Sequence, residues 1–408
     1  MPLYFRLKGG LFYGWVVVAA SLLIATTIFG TRFSFGVFFK YIESEFNLTR
    51  LITSGVTSLH WTLGCIFAIL GGWALDKYGP KNLALLMGIF TGLSLLLTSQ
   101  VNAAWQLFIT YSLLLSIGAG ALYPVVMATA SRWFDKKRGV ALGIVGAGSG
   151  FGILAMAPLA TYLVSDLGWR MAYVVMGFIA LLVVIPSSML LKKSPSDIGA
   201  KSDGVKSSSY KVDEDETGKE DKAQVIEFSL LEALKSNNFW SLWFIWLLYS
   251  FCYLLILTHI VPHATDIGIP AMEAAVVLSL IGGSNIAGRL LMGTFSDKIG
   301  RKRTTIICSL IASGAMILLI ASPELWVLYI FGIAFGFSLG GIDPALSALI
   351  GDIFGLRNIG KIMGVLESGW AIGAAIGPVI GGLVFDVSGN YFVAFLIGVL
   401  AMLIVALL

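Results

Sequence analysis

Hydrophobic residues in this chain come in long unbroken runs separated by short polar stretches. Twelve runs are long enough to cross a ~30 Å hydrocarbon layer as helices. The first six occupy about 11–39, 51–75, 82–99, 104–131, 139–165 and 170–191, and the second six about 238–264, 272–296, 303–321, 325–351, 359–385 and 390–408. Between the sets, 192–237 holds KSDGVKSSSYKVDEDETGKEDKAQ, which carries too little apolar area to fold alone and is predicted to be a largely disordered linker. The pattern predicts an all-α membrane protein of two six-helix bundles, 1–191 and 238–408.

Composition agrees and narrows the classes. The chain is 57% hydrophobic and 12% charged, against about 25% charge in soluble domains. Cys65, Cys252 and Cys308 each stand alone in an apolar run, so neither a disulfide framework nor a metal site is expected. Of the 27 lysines and arginines, three (Lys40, Arg50, Arg170) fall on one side of the predicted membrane and two (Arg32, Arg289) inside apolar runs. The other 22 share a side with the N-terminus and the linker. The positive-inside rule places both termini and the linker in the cytoplasm, as a multi-pass protein of the cell membrane. The net charge of +4 is therefore topology, and no nucleic-acid partner is expected.

The two halves repeat. Gly72-Trp-Ala-Leu-Asp76-Lys77-Tyr-Gly79-Pro-Lys81 recurs 221 residues on as Gly293-Thr-Phe-Ser-Asp297-Lys298-Ile-Gly300-Arg-Lys302. Pro124 and Pro344, Pro158 and Pro378, and Asp166 and Asp386 keep an offset of 220. Parallel repeats of this kind are associated with alternating access around a midplane site. Asp76 and Asp297 sit in short charged turns, where a carboxylate can meet cations or a helix N-terminus and so act in gating.

Polar residues within the runs are the site candidates. Arg289 lies seven residues inside its helix, ~10 Å from the hydrocarbon edge, where an arginine must face the protein interior. Asn285 is one turn away on the same helical face. Tyr123 lies at a similar depth, as hydrogen-bond donor or as ordinary packing. Asp343, at the position repeat-equivalent to Tyr123, either pairs with a cation or carries a proton, and Glu367 poses the same choice. His259, His263 and Asp266 cluster at a helix end, either as a solvated terminus or as a gate sensitive to protonation. His60 reads as a satisfied interior histidine, and Arg32, 21 residues into the first run, as a snorkelling cation near the outer surface. The glycine-rich stretch Gly146-Ala-Gly148-Ser-Gly150-Phe-Gly152 has no strand before it and reads as close helix packing. No arrangement for enzymatic catalysis stands out.

The duplicated G-x-x-x-D-[RK]-x-G-x-[RK] turn resembles that between helices 2 and 3 of the major facilitator superfamily. The stretch from Arg132-Trp-Phe-Asp to Gly146-Ala-Gly148-Ser-Gly150 resembles the helix 4–5 signature of the monocarboxylate transporters, and Tyr13-Gly14-Trp15 their helix 1 signature. The resemblance continues through Phe331-Gly-Ile-Ala-Phe-Gly-Phe337 and Gly364-Val-Leu-Glu367; oxalate/formate exchangers are close relatives. It implies transport of lactate, pyruvate or similar anions, in many members with a proton, and it matches Arg289 to the arginine that holds the substrate carboxylate. The family's proton-linked members commonly have an aspartate four residues earlier, where this chain has Asn285. Their helix 1 lysine aligns with Phe33, beside Arg32.

These readings combine into one expectation. A monomeric secondary transporter carries a small monocarboxylate, L-lactate first, without a cofactor. Arg289 holds the carboxylate, Asn285 and Tyr123 add hydrogen bonds, and Phe335 and Trp370 form an apolar wall. Asp343, Glu367, His259 or Asp266 would take the proton in symport. The alternative is an anion exchanger of the oxalate/formate type, which would need a second intramembrane cation.

Overall fold

The computed structural model describes residues 12–134, 137–198, 228–321, 323–355 and 359–408. Its helices are α1 (Tyr13–Glu45), α2 (50–78), α3 (80–98), α4 (Ala104–Trp133), α5 (138–167) and α6 (169–189) in the first half. The second half contains α7 (Asn237–Asp266), α8 (Ala271–Ile299), α9 (Arg301–Ala321), α10 (Leu325–Phe354), α11 (Ile359–Ser388) and α12 (Phe392–Leu407). The helix α2–α3 runs with hardly a break through a sharp bend at Gly79, and α5–α6 through one at Gly168; both glycines have φ of +79°. Gly300, the repeat counterpart of Gly79, has φ of +94°. That left-handed conformation favours glycine, which is why the motif carries its second glycine there.

Three helices are irregular in ways that matter for the interior. Helix α1 is interrupted at Ser34, whose hydroxyl donates to the Gly30 carbonyl at 2.6 Å, and then continues to Glu45. Helix α4 contains a π-helical turn, Phe108–Leu114. Part of the predicted linker is ordered: a short helix, Leu230–Lys235, begins in a capping box between Ser229 and Glu232. Residues 199–227 of that linker lie outside the described residues.

Consecutive helices alternate in direction, so the chain ends, the linker and the turns at Gly79 and Gly300 share one face, hereafter the terminal face. The two halves touch at midplane and on the opposite face. At midplane α5 meets α8 through glycine: a Cβ on Gly150 would come within 2.7 Å of the Gly282 carbonyl, and one on Gly282 within 2.7 Å of the Gly150 carbonyl. The same run packs α5 on α1, since a Cβ on Gly152 would lie 2.6 Å from Thr26 O. Close helix packing is thus what the glycine-rich stretch does. Towards the opposite face α1 meets α7 at Gly36, and α2 meets α11 where a Cβ on Gly382 would lie 2.5 Å from Arg50 O. Towards the terminal face, Gly72, Gly139, Gly143, Gly293 and Gly364 have nothing packed where a Cβ would stand. These belong to α2, α5, α8 and α11, which leave open space on the terminal side of the midplane contact.

Candidate functional site

Two close glycine contacts set the geometry of the site. Helices α8 and α10 approach until a Cβ on Gly340 would lie 2.2 Å from the Asn285 carbonyl, and one on Gly288 2.1 Å from the Phe337 carbonyl. That approach brings Arg289, one residue past Gly288, against Asp343, one turn past Gly340. Arg289 Nη2 and Asp343 Oδ2 are 2.6 Å apart, with side chains 21% and 17% exposed. Arg289 Nε donates to Asn285 Oδ1 at 3.3 Å, while Asn285 Nδ2 is buried without a partner. The guanidinium faces the other half, because a Cβ on Gly146 of α5 would lie 3.4 Å from Arg289 Nη1.

Tyrosines surround the pair. Tyr249 and Tyr253 of α7 and Tyr123 of α4 all lie within electrostatic range of Arg289 and Asp343. Tyr123 is 49% exposed and also feels Glu367. Glu367 is open and lies in electrostatic range of Cys65 of the other half. Trp370 stands edge-on to Trp61 across the halves, with ring centroids 5.1 Å apart. The structure therefore brings together Arg289, Asn285, Asp343, Tyr123, Glu367 and Trp370 between the halves. Phe335 is not with them: it is fully buried and stacks on Phe331 inside the second half, because α10 turns that face towards its own bundle.

His259 and Asp266 belong to a separate cluster on the opposite face, centred on Arg50, which sequence reading counted only as an outer charge. Arg50 donates to Asp266 at 2.6 and 3.0 Å and to the Tyr391 hydroxyl at 2.6 Å, and its Nε is 3.3 Å from Glu43. Its guanidinium lies 3.5 Å from the Phe385 ring centre. Asp266 also pairs with Lys40 at 2.5 Å. The Asp386 carboxylate accepts from the backbone amides of Arg50 and Leu51 at 2.9 and 2.8 Å, capping α2 from the other half. His259 is fully buried, with Nε2 at 2.8 Å from the Pro378 carbonyl and Nδ1 at 3.0 Å from the Tyr391 hydroxyl. A carbonyl can only accept, so the Nε2–H tautomer follows and Nδ1 accepts from Tyr391. His263 packs its ring on Tyr391 and Phe395. Neither histidine is a solvated helix end.

Arg32 requires a correction. It is 8% exposed and does not snorkel. The reason is the length of α1: the helix continues past Ser34 for a span of 33 residues, ~50 Å at 1.5 Å per residue, so Arg32 falls well short of its far end. Its Nε donates to His60 Nε2 at 2.9 Å, and its guanidinium lies 3.8 Å from the Trp61 ring centre. His60 is the interior histidine expected of it, with Arg32 as its partner.

On the terminal face Asp76 pairs with Arg132 at 2.9 Å, and Asp297 with Arg301 at 3.2 Å. Arg301 also reaches Asp352 at 2.6 Å. Both pairs stay within their own half, and Asp76 and Asp297 are 75% and 65% exposed.

The comparisons fit this architecture. The profile described as "Major Facilitator Superfamily" matches residues 21–298 and 264–408, and the chain belongs to that superfamily. It is 24% identical to "Monocarboxylate transporter 13" of Rattus norvegicus, over 94% of this chain and 85% of that protein. It is 26% identical to "Oxalate:formate antiporter" of Oxalobacter formigenes, over 92% of this chain and 85% of that protein. Among solved structures, a bacterial homologue of the human lysosomal transporter Spinster, described as inward-facing and occupied, aligns with a TM-score of 0.75 at 17% identity. That alignment covers 97% of this chain and 96% of the other, and shows the shared fold. The protein is a multi-pass membrane transporter of the major facilitator type.

Proposed function

We propose that this transporter carries small monocarboxylates, L-lactate first, by alternating access with one proton in symport. The supporting observation is the Arg289–Asp343 pair, which stands between the halves with both side chains partly open. A guanidinium fork suits a carboxylate bidentately, but in this state Asp343 occupies it. A substrate carboxylate and an ionised Asp343 would compete for one cation. Protonating Asp343 removes its charge, frees the fork and couples the binding of one anion to the binding of one proton. Asp343 on α10 would then do the work of the aspartate missing at Asn285.

The other partners fit a 2-hydroxy acid. Asn285 Nδ2 is a buried donor without an acceptor beside Arg289, and the substrate hydroxyl can accept from it. Tyr123 offers a second hydroxyl from the opposite half, and Trp370 with Trp61 an apolar surface for a methyl group. With the terminal face in the cytoplasm, as the positive-inside rule has it, the open space beside the terminal-side glycines faces inward and the Arg50 cluster ties the halves together on the outer side. The protein would work in the cell membrane as a monomer.

A second reading is anion exchange, as the name of the oxalate:formate antiporter describes for that relative. The burial of Arg32 favours it, because a second intramembrane cation is then in place.

Proteoliposome uptake of labelled L-lactate tests the first reading. Uptake is expected to rise with an inward proton gradient and to vanish in Arg289→Ala. In Asp343→Asn, which mimics the neutral acid, exchange of lactate should persist while gradient-driven accumulation is lost. Undiminished uptake by Arg289→Ala would overturn the assignment of the site. Uptake only against internal formate or oxalate would favour exchange.

A further inference from the structure

A cavity of about 760 Å³ opens on the opposite face, away from the Arg289 site. Both halves wall it: Lys40, Glu43 and Ser44 of α1 and Thr161 of α5 on one side, Thr265 of α7 and Ala271 of α8 on the other. Ala271 opens α8, and Arg289 lies 18 residues further along the same helix, ~27 Å at 1.5 Å per residue. Lys40 stands five residues short of the end of α1, ~7.5 Å, so the cavity sits near the membrane surface. A volume of this size suits a small organic molecule.

The chemistry of the cavity has two signs. Lys40 and Glu43 are three residues apart and share a face of α1, yet no ion pair joins them. The ammonium goes to Asp266 at 2.5 Å, and one Glu43 oxygen meets Arg50 Nε at 3.3 Å. An ammonium has three N–H donors, so two remain on Lys40, whose side chain is 34% exposed. The second Glu43 oxygen has no hydrogen-bond partner among the described residues, and that side chain is 22% exposed. The wall hydroxyls are turned to their own backbone. Ser44 donates to the Tyr41 carbonyl at 3.3 Å, Thr161 to that of Ala157 at 3.0 Å and Thr265 to that of Val261 at 3.1 Å. Each hydroxyl has one hydrogen, so towards the cavity these three offer lone pairs only. Val37, Val164 and Pro262 add apolar lining. The cavity thus presents a cation with donors to spare beside an acceptor-rich wall that carries a negative charge.

We infer that this cavity is a second ligand site, specific for a zwitterion with a carboxylate or phosphate beside a primary ammonium. The anionic group takes the free N–H groups of Lys40, and the ammonium takes the Glu43 carboxylate with the Ser44 and Thr265 oxygens. A free amino acid and the ethanolamine headgroup of a phospholipid share this chemistry. Because both halves wall the cavity, its occupant binds the state closed on the opposite face and shifts the population towards it. That regulatory consequence rests on the alternating access proposed above, whereas the binding site does not.

Calorimetric titration of the full chain in phosphatidylcholine nanodiscs tests the site with glycerophosphoethanolamine, glycerophosphocholine and β-alanine. Choline keeps the charge but has no N–H. The ethanolamine probe is therefore expected to bind roughly tenfold or more tightly than the choline probe, the size of one charge-assisted hydrogen bond. Lys40→Gln and Glu43→Gln should each weaken it about tenfold. Ser44→Trp fills the cavity from an exposed position without touching an ion pair, and should abolish binding with an unchanged unfolding temperature. Nanodiscs containing phosphatidylethanolamine decide the source: if they suppress the titration, the ligand is the lipid headgroup. If they leave it intact, the ligand is a free zwitterion, and β-alanine shows whether a carboxylate serves as well as a phosphate. Bound probe should also slow maleimide labelling of Ser54→Cys severalfold, because it holds the halves together. No binding by any probe, equal binding of the ethanolamine and choline probes, or affinity unchanged in both glutamine variants overturns the site. Unchanged labelling with probe bound overturns its regulatory role. None of these outcomes depends on the reading of Arg289, which lactate uptake by Arg289→Ala tests separately.

Discussion

At the scale of single residues, Arg50 does the most to hold the observed state together. It belongs to the first half, yet Asp266, Tyr391 and Phe385 all belong to the second. Truncating one member of a buried ion pair costs about 3–5 kcal/mol, and the lower end applies here because Asp266 keeps Lys40 as a partner. That cost falls on the state with the opposite face closed, because the partners separate when the halves part. Arg50→Ala should therefore open this face, and a cysteine placed at Ser54 should react with a membrane-impermeant maleimide many times faster. Asp386→Asn weakens the cap on α2, worth about 1 kcal/mol, so its effect should have the same direction and be smaller. Unchanged labelling in Arg50→Ala would mean that apolar packing, and not this cluster, closes the face. Little of the cluster was legible in the sequence. Arg50 is a lone cation before an apolar run, and its partners in the second half lie more than two hundred residues away.

At the scale of helices, more could be read. The hydrophobic runs fall on the long apolar helices of the described residues, and the duplicated motif placed the turns in which Gly79 and Gly300 take positive φ. Two features were not visible. The first was the true length of α1, because the polar residues after Phe39 hide its continuation to Glu45, and this is why Arg32 was placed too shallow. The second was the pairing of Arg289 with Asp343, which depends on how closely α8 and α10 approach through Gly288 and Gly340. The unpacked glycines are also an element-scale feature. Gly143 and Gly293 lie on α5 and α8 beyond the Gly150–Gly282 contact, where the helices diverge. When the terminal side closes, these helices must meet, and small residues allow it. Gly143→Leu should then leave substrate binding in the present state within about twofold and abolish net transport, since overpacking a close helix contact costs about 1–3 kcal/mol. Retained transport would show that α5 and α8 do not zip at this point.

For the whole molecule, the Arg50 cluster and the open glycine seam lie on opposite sides of the same midplane contact between α5 and α8. If the halves move as rigid bodies about that contact, opening one side must close the other, and a change confined to one face becomes measurable on the other. Helices α5 and α8 run antiparallel: Gly150 meets Gly282 and Ile286, and Gly146 meets Arg289. The next turn towards the terminal face sets Gly143 opposite Gly293. Cysteines at these two positions, in a background with Cys65, Cys252 and Cys308 replaced by serine, should cross-link slowly while the terminal side is open. Adding Arg50→Ala, on the far face, should speed that cross-linking by shifting the population towards the state closed on the terminal side. A destabilisation of about 3 kcal/mol suffices to bring a population of 99 to 1 in favour of the original state to roughly even. Faster cross-linking in the triple variant would tie the cluster, the seam and the central site into one two-state movement. An unchanged rate, alongside faster labelling at Ser54, would mean that the two faces open independently, and the rigid-body account would have to be abandoned.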